Sequence, residues 1–294
     1  MTIIGFIGLG HMGNPMVKNL IKNNYQVNVF DLSDEAMRVL ATAGAEPVDS
    51  ITKLAQYADV VITMLQTGDQ VRQVCLGKEG IFANLKRNAL YIDSSSIAVD
   101  SSREIHGEAT SLGIAMLDAP VSGGVAAATA GSLTFMVGGK MVDFERAQPM
   151  LSAMGKKIIY AGPAGSGVAA KICNNMLLAI SMIGVSEAFT LGEKLGLNPK
   201  KLFEISSNAS GQCWSLTQYC PFPGILPEVP SSHDYQPGFT AKMMLKDLNL
   251  SQEAATDTHA KTPLGRHATE LYKAYVEAGN AEVDFSGIIR MFVK

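Results

Sequence analysis

IIGFIGLGHMGNPMVKNLIKNNYQVNVFD, residues 3–31, places a strand, a glycine loop, a helix and a second strand ending in an acid within one short stretch. Ile3 to Ile7 form an apolar, β-branched run of strand character. Glycines at 8, 10 and 13 follow at once in the pattern G-x-G-x-x-G, and the apolar spacing after them is helical. The three glycines meet three steric demands: a tight turn at Gly8, close approach of a pyrophosphate at Gly10, and packing of helix on strand at Gly13. The helix N-terminus then offers free N–H groups to phosphates. Asp31, roughly 20 residues past the loop, would accept hydrogen bonds from the adenosine ribose and repel a 2′-phosphate. The stretch predicts a dinucleotide site with NAD preferred over NADP, and a structural turn beside a surface aspartate explains less of it.

Beyond Asp31 strand and helix patterns alternate: helix 33–42, strand 60–64, helix 70–76, strand 89–92, helix 100–112, strand 114–118, strand 133–139, a helix to 154 and a strand at 157–160. This alternation predicts an α/β fold, a Rossmann-type doubly wound parallel sheet over residues 1–163. Ligands of such sheets bind at the carboxyl ends of the strands. Those ends are Leu65-Gln66-Thr67, Asp93-Ser94-Ser95-Ser96 and Asp118-Ala119-Pro120-Val121-Ser122-Gly123-Gly124. The last exposes several backbone N–H groups and one hydroxyl, which suits a carboxylate. A plain glycine turn has the same spacing.

From residue 164 to the end the pattern is helical only, which predicts an all-α domain over 164–294 joined to the first by a long helix. That helix, read over AKICNNMLLAISMIGVSEAFTLGEKL at 170–195, ends where Gly196 can cap it and Pro199 forbids continuation. With the preceding glycines as its start it spans roughly 30 residues, on the order of 45 Å. Apolar residues on nearly every face predict burial on all sides. Lys171, Asn174, Asn175, Ser181, Ser186 and Glu187 interrupt it too often for a membrane span. Lys171 and Asn175, four apart, share one face. Either they point together into a site, or Lys171 lies in an exposed first turn with its stem along the surface. Residues 219–238 hold five of the chain's twelve prolines beside Tyr219, Phe222 and Tyr235, so an ordered, packed loop is expected there.

Composition narrows the partners. A chain of 294 residues, 47% hydrophobic and 17% charged, reads as a soluble globular protein large enough for two domains. A net charge of −3 without any basic run argues against nucleic acid or an anionic membrane, and in favour of small molecules. Cys75, Cys173, Cys213 and Cys220 show no metal or CxxC spacing and are read as free thiols, Cys173 as a small hydrophobe on the buried helix. With a strand beginning at Ile3, no leader is expected, and the cytoplasm is the expected compartment, or the mitochondrial matrix for a trimmed organellar form. No HExxH, GxSxG or Walker motif occurs and no metal is expected. The histidines at 11, 106, 233, 259 and 267 are scattered, so without a histidine–acid pair a hydride-transfer enzyme needs another base, and Lys171 is the candidate. Asn174, Glu187 and Asp247 read as structural. A non-catalytic NAD-binding sensor on the same fold is the alternative from another class.

Five motifs in order resemble the β-hydroxyacid dehydrogenase family along the whole chain: GFIGLGHMGNPM (5–16), DSSSI (93–97), DAPVSGGVAAATAGSLTFMVGG (118–139), GSGVAAKICNNML (165–177) and KDLNL (246–250). Within the family, GQCWSLTQYCPFPG and VPSSHDYQPGF are similar to the branch acting on 3-hydroxyisobutyrate, a constituent of valine catabolism, more than to the glyoxylate, succinic semialdehyde or tartronate semialdehyde reductases. NAD-dependent L-serine dehydrogenases share this segment. The resemblance implies Lys171 as catalytic base, Asn175 as a substrate contact, and Ser122, Gly123 and Gly124 as the grip on the carboxylate. It implies cofactor contacts from Gly8, Leu9, Gly10, His11, Met12 and Gly13, from Asp31, Leu65 and Gln66, from Ser96 where the family usually has threonine, and from Lys246. It further implies a homodimer or homotetramer paired through the helical domain.

Overall fold

The computed structural model describes residues 2–293. Two compact units divide within one helix, the first running up to Lys171 and the second from Ile172 on.

The first unit is a nine-stranded sheet with helices on both faces. Its strands are β1 (Ile3–Ile7), β2 (Gln26–Phe30), β3 (Glu46–Pro47), β4 (Val60–Thr63), β5 (Leu90–Asp93), β6 (Ala115–Asp118), β7 (Val121–Ser122), β8 (Leu133–Gly139) and β9 (Gly155–Gly162). Helices α1 (Gly13–Lys22), α2 (Asp34–Ala41), α3 (Ile51–Tyr57), α4 (Gly68–Cys75), α5 (Ile81–Asn84), α6 (Val99–Ser111), α7 (Gly124–Thr129) and α8 (Met141–Met154) connect them. The order β3-β2-β1-β4-β5-β6 is parallel throughout and reverses direction at the β1/β4 step. In a doubly wound sheet that step is where ligands bind. β4 is wholly buried because both faces are covered: Val60 and Ile62 pack on the α1 and α8 side, Val61 on the α3, α4 and α6 side.

The far edge departs from the all-parallel expectation, since β8 runs antiparallel to β6 and to β7 while β9 rejoins β8 in parallel. A parallel return needs a crossover of about a dozen or more residues over one face. Here the chain keeps its direction through β7, turns back after it through Gly123, whose φ of 130° requires glycine, and returns by the short α7 to β8. Helix α3 also escapes the periodicity reading, although the Ser50 hydroxyl caps it by accepting from the Lys53 N–H.

The helix α9 (Ser166–Lys194) runs unbroken for 29 residues across the division between the units. The second unit continues with α10 (Pro199–Ser207), α11 (Trp214–Thr217), α12 (Ala241–Asp257) and α13 (Pro263–Tyr275), closing in a 3₁₀ segment at Phe285–Met291. Met182, Met244, Leu248, Tyr272, Phe285 and Ile288 form its main core, and Phe189, Leu216 and Cys220 a smaller one. The proline-rich loop is ordered as expected, with Ser231 donating to the Cys220 carbonyl and Tyr235 to that of Pro221. Asp284 ties that loop to the C-terminal segment. Its Oδ2 accepts from the Gly238 and Phe239 N–H groups and the Tyr219 hydroxyl, and its Oδ1 from both the N–H and the hydroxyl of Ser286.

Burial of α9 on all sides is not what the fold shows. Only 44% of its most apolar window is buried, Leu177 and Leu191 stand 63% and 60% exposed, and Cys173 is exposed rather than a core hydrophobe. By length and composition this helix could cross a membrane, yet Met182, Ile183 and Phe189 pack into the cores of the second unit. Apolar periodicity records which residues avoid water and is silent on what covers them. All four cysteines are free thiols.

Candidate active site

The glycine loop has the stereochemistry its spacing predicts. Gly8 adopts a φ of 94°, and a Cβ there would lie 2.3 Å from the Met64 carbonyl oxygen. A Cβ on Gly13 would come within 1.9 Å of the Gly8 carbonyl oxygen, so only glycine lets α1 begin this close to the loop. At Gly10 nothing lies within 4 Å of where a Cβ would be, which leaves the backbone open to a close ligand. No side chain caps α1 at Met12; the Asn14 N–H is taken by the Gly10 carbonyl at 3.0 Å and Pro15 has none, and the positive end of the helix dipole stands at the loop. Asp31 folds back on the loop, with Oδ2 accepting from the Leu9 N–H at 2.7 Å and Oδ1 from the Ser33 N–H at 2.9 Å. Each oxygen keeps a lone pair for a ribose hydroxyl. These residues fit a dinucleotide: an uncapped helix N-terminus for the pyrophosphate, a bare backbone at Gly10, and an acceptor for the ribose. Gly10 and His11 are exposed, Met12 is half-buried, and Gly8 and Leu9 are buried beneath them.

A polar row crosses the carboxyl ends of β4, β5 and β6, where Thr63, Asp93 and Asp118 pair in register. The Thr63 hydroxyl donates to Asp93 Oδ1 at 2.8 Å and lies 2.7 Å from the Tyr91 hydroxyl. Asp93 Oδ1 also accepts from the Ser95 N–H, and the Ser95 hydroxyl accepts from the Leu65 N–H at 2.9 Å. Leu65 is thus held, through Ser95, on one buried carboxyl; Ser96 next to Ser95 is half-buried, and Gln66 beside Leu65 is exposed. Burial pushes the Asp93 pKa up, with the hydrogen bonds from Ser95 and Thr63 opposing. A carboxyl raised on folding binds its proton more tightly in the native state, so its stabilisation is complete below the ordinary value of about 3.9 and is lost as pH climbs through the native value. Urea midpoints measured from about pH 4 upward should therefore decline more in the wild type than in Asp93→Asn. Parallel curves would contradict this assignment.

At the end of β6, Asp118 is fully buried and accepts from the Gly165 N–H at 2.8 Å and the Val168 N–H at 2.9 Å, at the start of α9. His106 of α6 sets its Nε2 2.9 Å from Asp118 Oδ1. A histidine–acid pair therefore exists, which the scattered histidines did not suggest, and sequence offers no signal for it because α6 and β6 meet only in the folded sheet. Ser122 ends β7 opposite Thr134, half-buried, and Gly123 and Gly124 follow into α7, so the stretch is a strand edge and helix start rather than a bare turn. Lys171, two turns into α9, is 7% exposed, which removes the reading of an exposed lysine with its stem on the surface.

In the second unit Asn175 is 2% exposed. Its Oδ1 accepts from Asn174 Nδ2 at 3.0 Å, and its Nδ2 donates to Asp247 Oδ2 at 2.5 Å. One amide N–H and one lone pair remain for a further partner. Asp247, buried on α12 and read from sequence as merely structural, orients the amide, while its neighbour Lys246 is half-buried. Glu187 is exposed.

Comparison with known proteins is consistent across both units. Residues 3–162 match the NAD binding domain of 6-phosphogluconate dehydrogenase, and residues 165–292 the NAD-binding domain of NADP-dependent 3-hydroxyisobutyrate dehydrogenase. An NAD-dependent L-serine dehydrogenase of Pseudomonas aeruginosa is 48% identical over 292 residues, covering 99% of this chain and 98% of the relative. The mitochondrial 3-hydroxyisobutyrate dehydrogenase of Homo sapiens is 46% identical over 98% of this chain and 86% of its own. The solved Mycobacterium tuberculosis 3-hydroxyisobutyrate dehydrogenase with L-serine superposes with a TM-score of 0.94 at 45% identity, covering 99% of both chains. The chain belongs to the β-hydroxyacid dehydrogenase family and is an NAD-dependent hydroxyacid dehydrogenase.

Proposed function

We propose that the protein oxidises 3-hydroxyisobutyrate to methylmalonate semialdehyde, with Lys171 as the base. The carrying observation is that Lys171 and Asn175 share one face of α9, both buried, with the Asn175 amide oriented by Asp247. Ser122, Gly123 and Gly124 hold the substrate carboxylate through the Ser122 hydroxyl and backbone N–H groups. Asn175 donates its remaining N–H to the substrate's primary hydroxyl, and Lys171, as the neutral amine, takes that hydroxyl's proton. Bound NAD supplies the hydride acceptor. Gly8, Leu9, Gly10, His11, Met12 and Gly13 hold its phosphates, Asp31 its ribose, and Leu65, Gln66 and Ser96 the nicotinamide half, with Lys246 a further cofactor contact.

L-Serine is the second reading, favoured by the 48% identity to the P. aeruginosa enzyme and by the M. tuberculosis relative, whose structure was solved with L-serine. Both substrates carry a primary hydroxyl on the carbon next to that bearing the carboxylate, so the same groups serve either. Comparison of kcat/KM for 3-hydroxyisobutyrate, 3-hydroxypropionate, L-serine and D-glycerate decides between them; L-serine leading by tenfold or more would replace the first reading with the second. Asp31→Ala should narrow the preference for NAD over NADP, and unchanged discrimination would remove Asp31 from the ribose site.

The exposed Leu177 and Leu191 of α9 and Leu195 just beyond it support pairing of chains, as dimer or tetramer, through the helical unit. The mitochondrial relatives and the bacterial ones support the matrix and the cytoplasm respectively as the working compartment.

A further inference from the structure

We propose that Asp118 and His106 form a positioning pair that fixes the first turn of α9 and, through it, the backbone from which Lys171 projects. The proposal rests on reading Lys171 as the base.

The first N–H groups of any α-helix lack partners within the helix. For α9 the Ser166 N–H is met by the Pro163 carbonyl, and the Val168 N–H from another element: the Asp118 carboxyl at the end of β6 spans the helix start, one oxygen on the N–H of Gly165, just before the helix, and the other on the Val168 N–H. A buried negative charge at the positive end of a 29-residue helix is favourable, and two-point attachment sets both the height and the rotation of the turn. His106 Nε2, 2.9 Å from Oδ1, gives that oxygen a second partner and fixes the plane of the carboxylate.

The surrounding backbone closes tightly on the same group. A Cβ on Gly138 would lie 2.5 Å from Asp118 Oδ1, and one on Gly167 would lie 2.9 Å from Oδ2 and 2.3 Å from the Met136 carbonyl oxygen. The helix start therefore cannot slide over β6 and β8 without breaking the cap. Lys171 comes one helical turn after Val168, so any displacement of the capped turn moves its Cα by a similar amount. With exposures of 6% and 0%, His106 and Asp118 are sealed from substrate and do not exchange protons with it.

Misplacement of a reacting group by about 1 Å can cost on the order of a hundredfold in rate. The test is kcat per NADH-binding site, counted by fluorescence titration, for three variants. His106→Leu keeps bulk and removes the donor, His106→Gln keeps an N–H donor, and Asp118→Asn replaces one acceptor. His106→Leu should lower kcat per site by about tenfold and Asp118→Asn by about thirtyfold, with KM for NAD within about twofold, while His106→Gln should return to within about threefold of wild type. A merely structural pair would reduce Tm and the number of NADH-binding sites but leave kcat per site unchanged, and that result overturns the proposal. Should Asp118→Asn fail to fold, the two His106 variants decide alone. Lys171→Ala, assayed alongside, separates the two readings. Turnover retained there removes the base and this proposal with it. An inactive Lys171→Ala beside His106 and Asp118 variants of full kcat removes the positioning role only.

Discussion

Lys171→Ala is expected to reduce turnover by at least about a thousandfold while NAD affinity stays within about twofold, as measured by steady-state kinetics and equilibrium titration. A positioned general base contributes on the order of 10² to 10⁴ in rate. Two other titratable groups are engaged elsewhere: His106 is sealed against Asp118, and Asp247 is bound to the Asn175 amide. The cofactor loop at Gly8, Gly10 and Gly13 and Asp31 lie on other elements, so loss of the lysine should leave NAD binding in place. Lys171→Arg sharpens the test. A guanidinium keeps the positive charge but cannot give up its proton at neutral pH, and so cannot act as a base. If Lys171 served only by its charge, the arginine variant would retain substantial activity; activity above a few per cent of wild type in either variant would sink the base assignment.

Asp284→Ala is expected to destabilise the second unit by roughly 3–5 kcal/mol, lowering Tm by about 6 °C or more. The fully buried carboxylate receives five hydrogen bonds, from Gly238, Phe239, the Tyr219 hydroxyl and twice from Ser286. Deletion strands these donors out of reach of water, at about 1–3 kcal/mol for each that finds no substitute. Tyr219, stacked between Trp214 and Phe285, would lose the anchor of its hydroxyl, so the loop from 219 to 239 should also become a site of rapid proteolysis. Asp284→Asn retains the shape and one acceptor oxygen and should fall between the two. A Tm within about 2 °C of wild type for the alanine variant would show that the loop is held by its apolar contacts instead.

Local physics made much of this protein legible in one dimension. The glycine loop could be read because its requirements are local: Gly8 needs a positive φ, Gly13 must let the Gly8 carbonyl pass close by, Gly10 leaves the backbone bare, and Asp31 returns at the end of the very next strand. Helix α9 could be bounded because its stop signals, Gly196 and Pro199, act on their own backbone. The antiparallel edge was not legible, since β7 is two residues long and its partner β8 is chosen by pairing rather than by periodicity.

The sequence by itself determined the doubly wound sheet, the glycine loop and the helical second unit, because each depends on short-range spacing of glycines, prolines and apolar residues, and its motifs carried the resemblance that pointed to the family. Tertiary structure alone decided how the polar groups combine. His106 and Asp118, Asn175 and Asp247, and Thr63 with Asp93 are joined across different elements, 12, 72 and 30 residues apart, and a hydrogen bond between elements leaves no periodicity to read. Tertiary structure also left Leu177 and Leu191 of α9 uncovered, because apolarity favours removal from water without specifying which surface provides it.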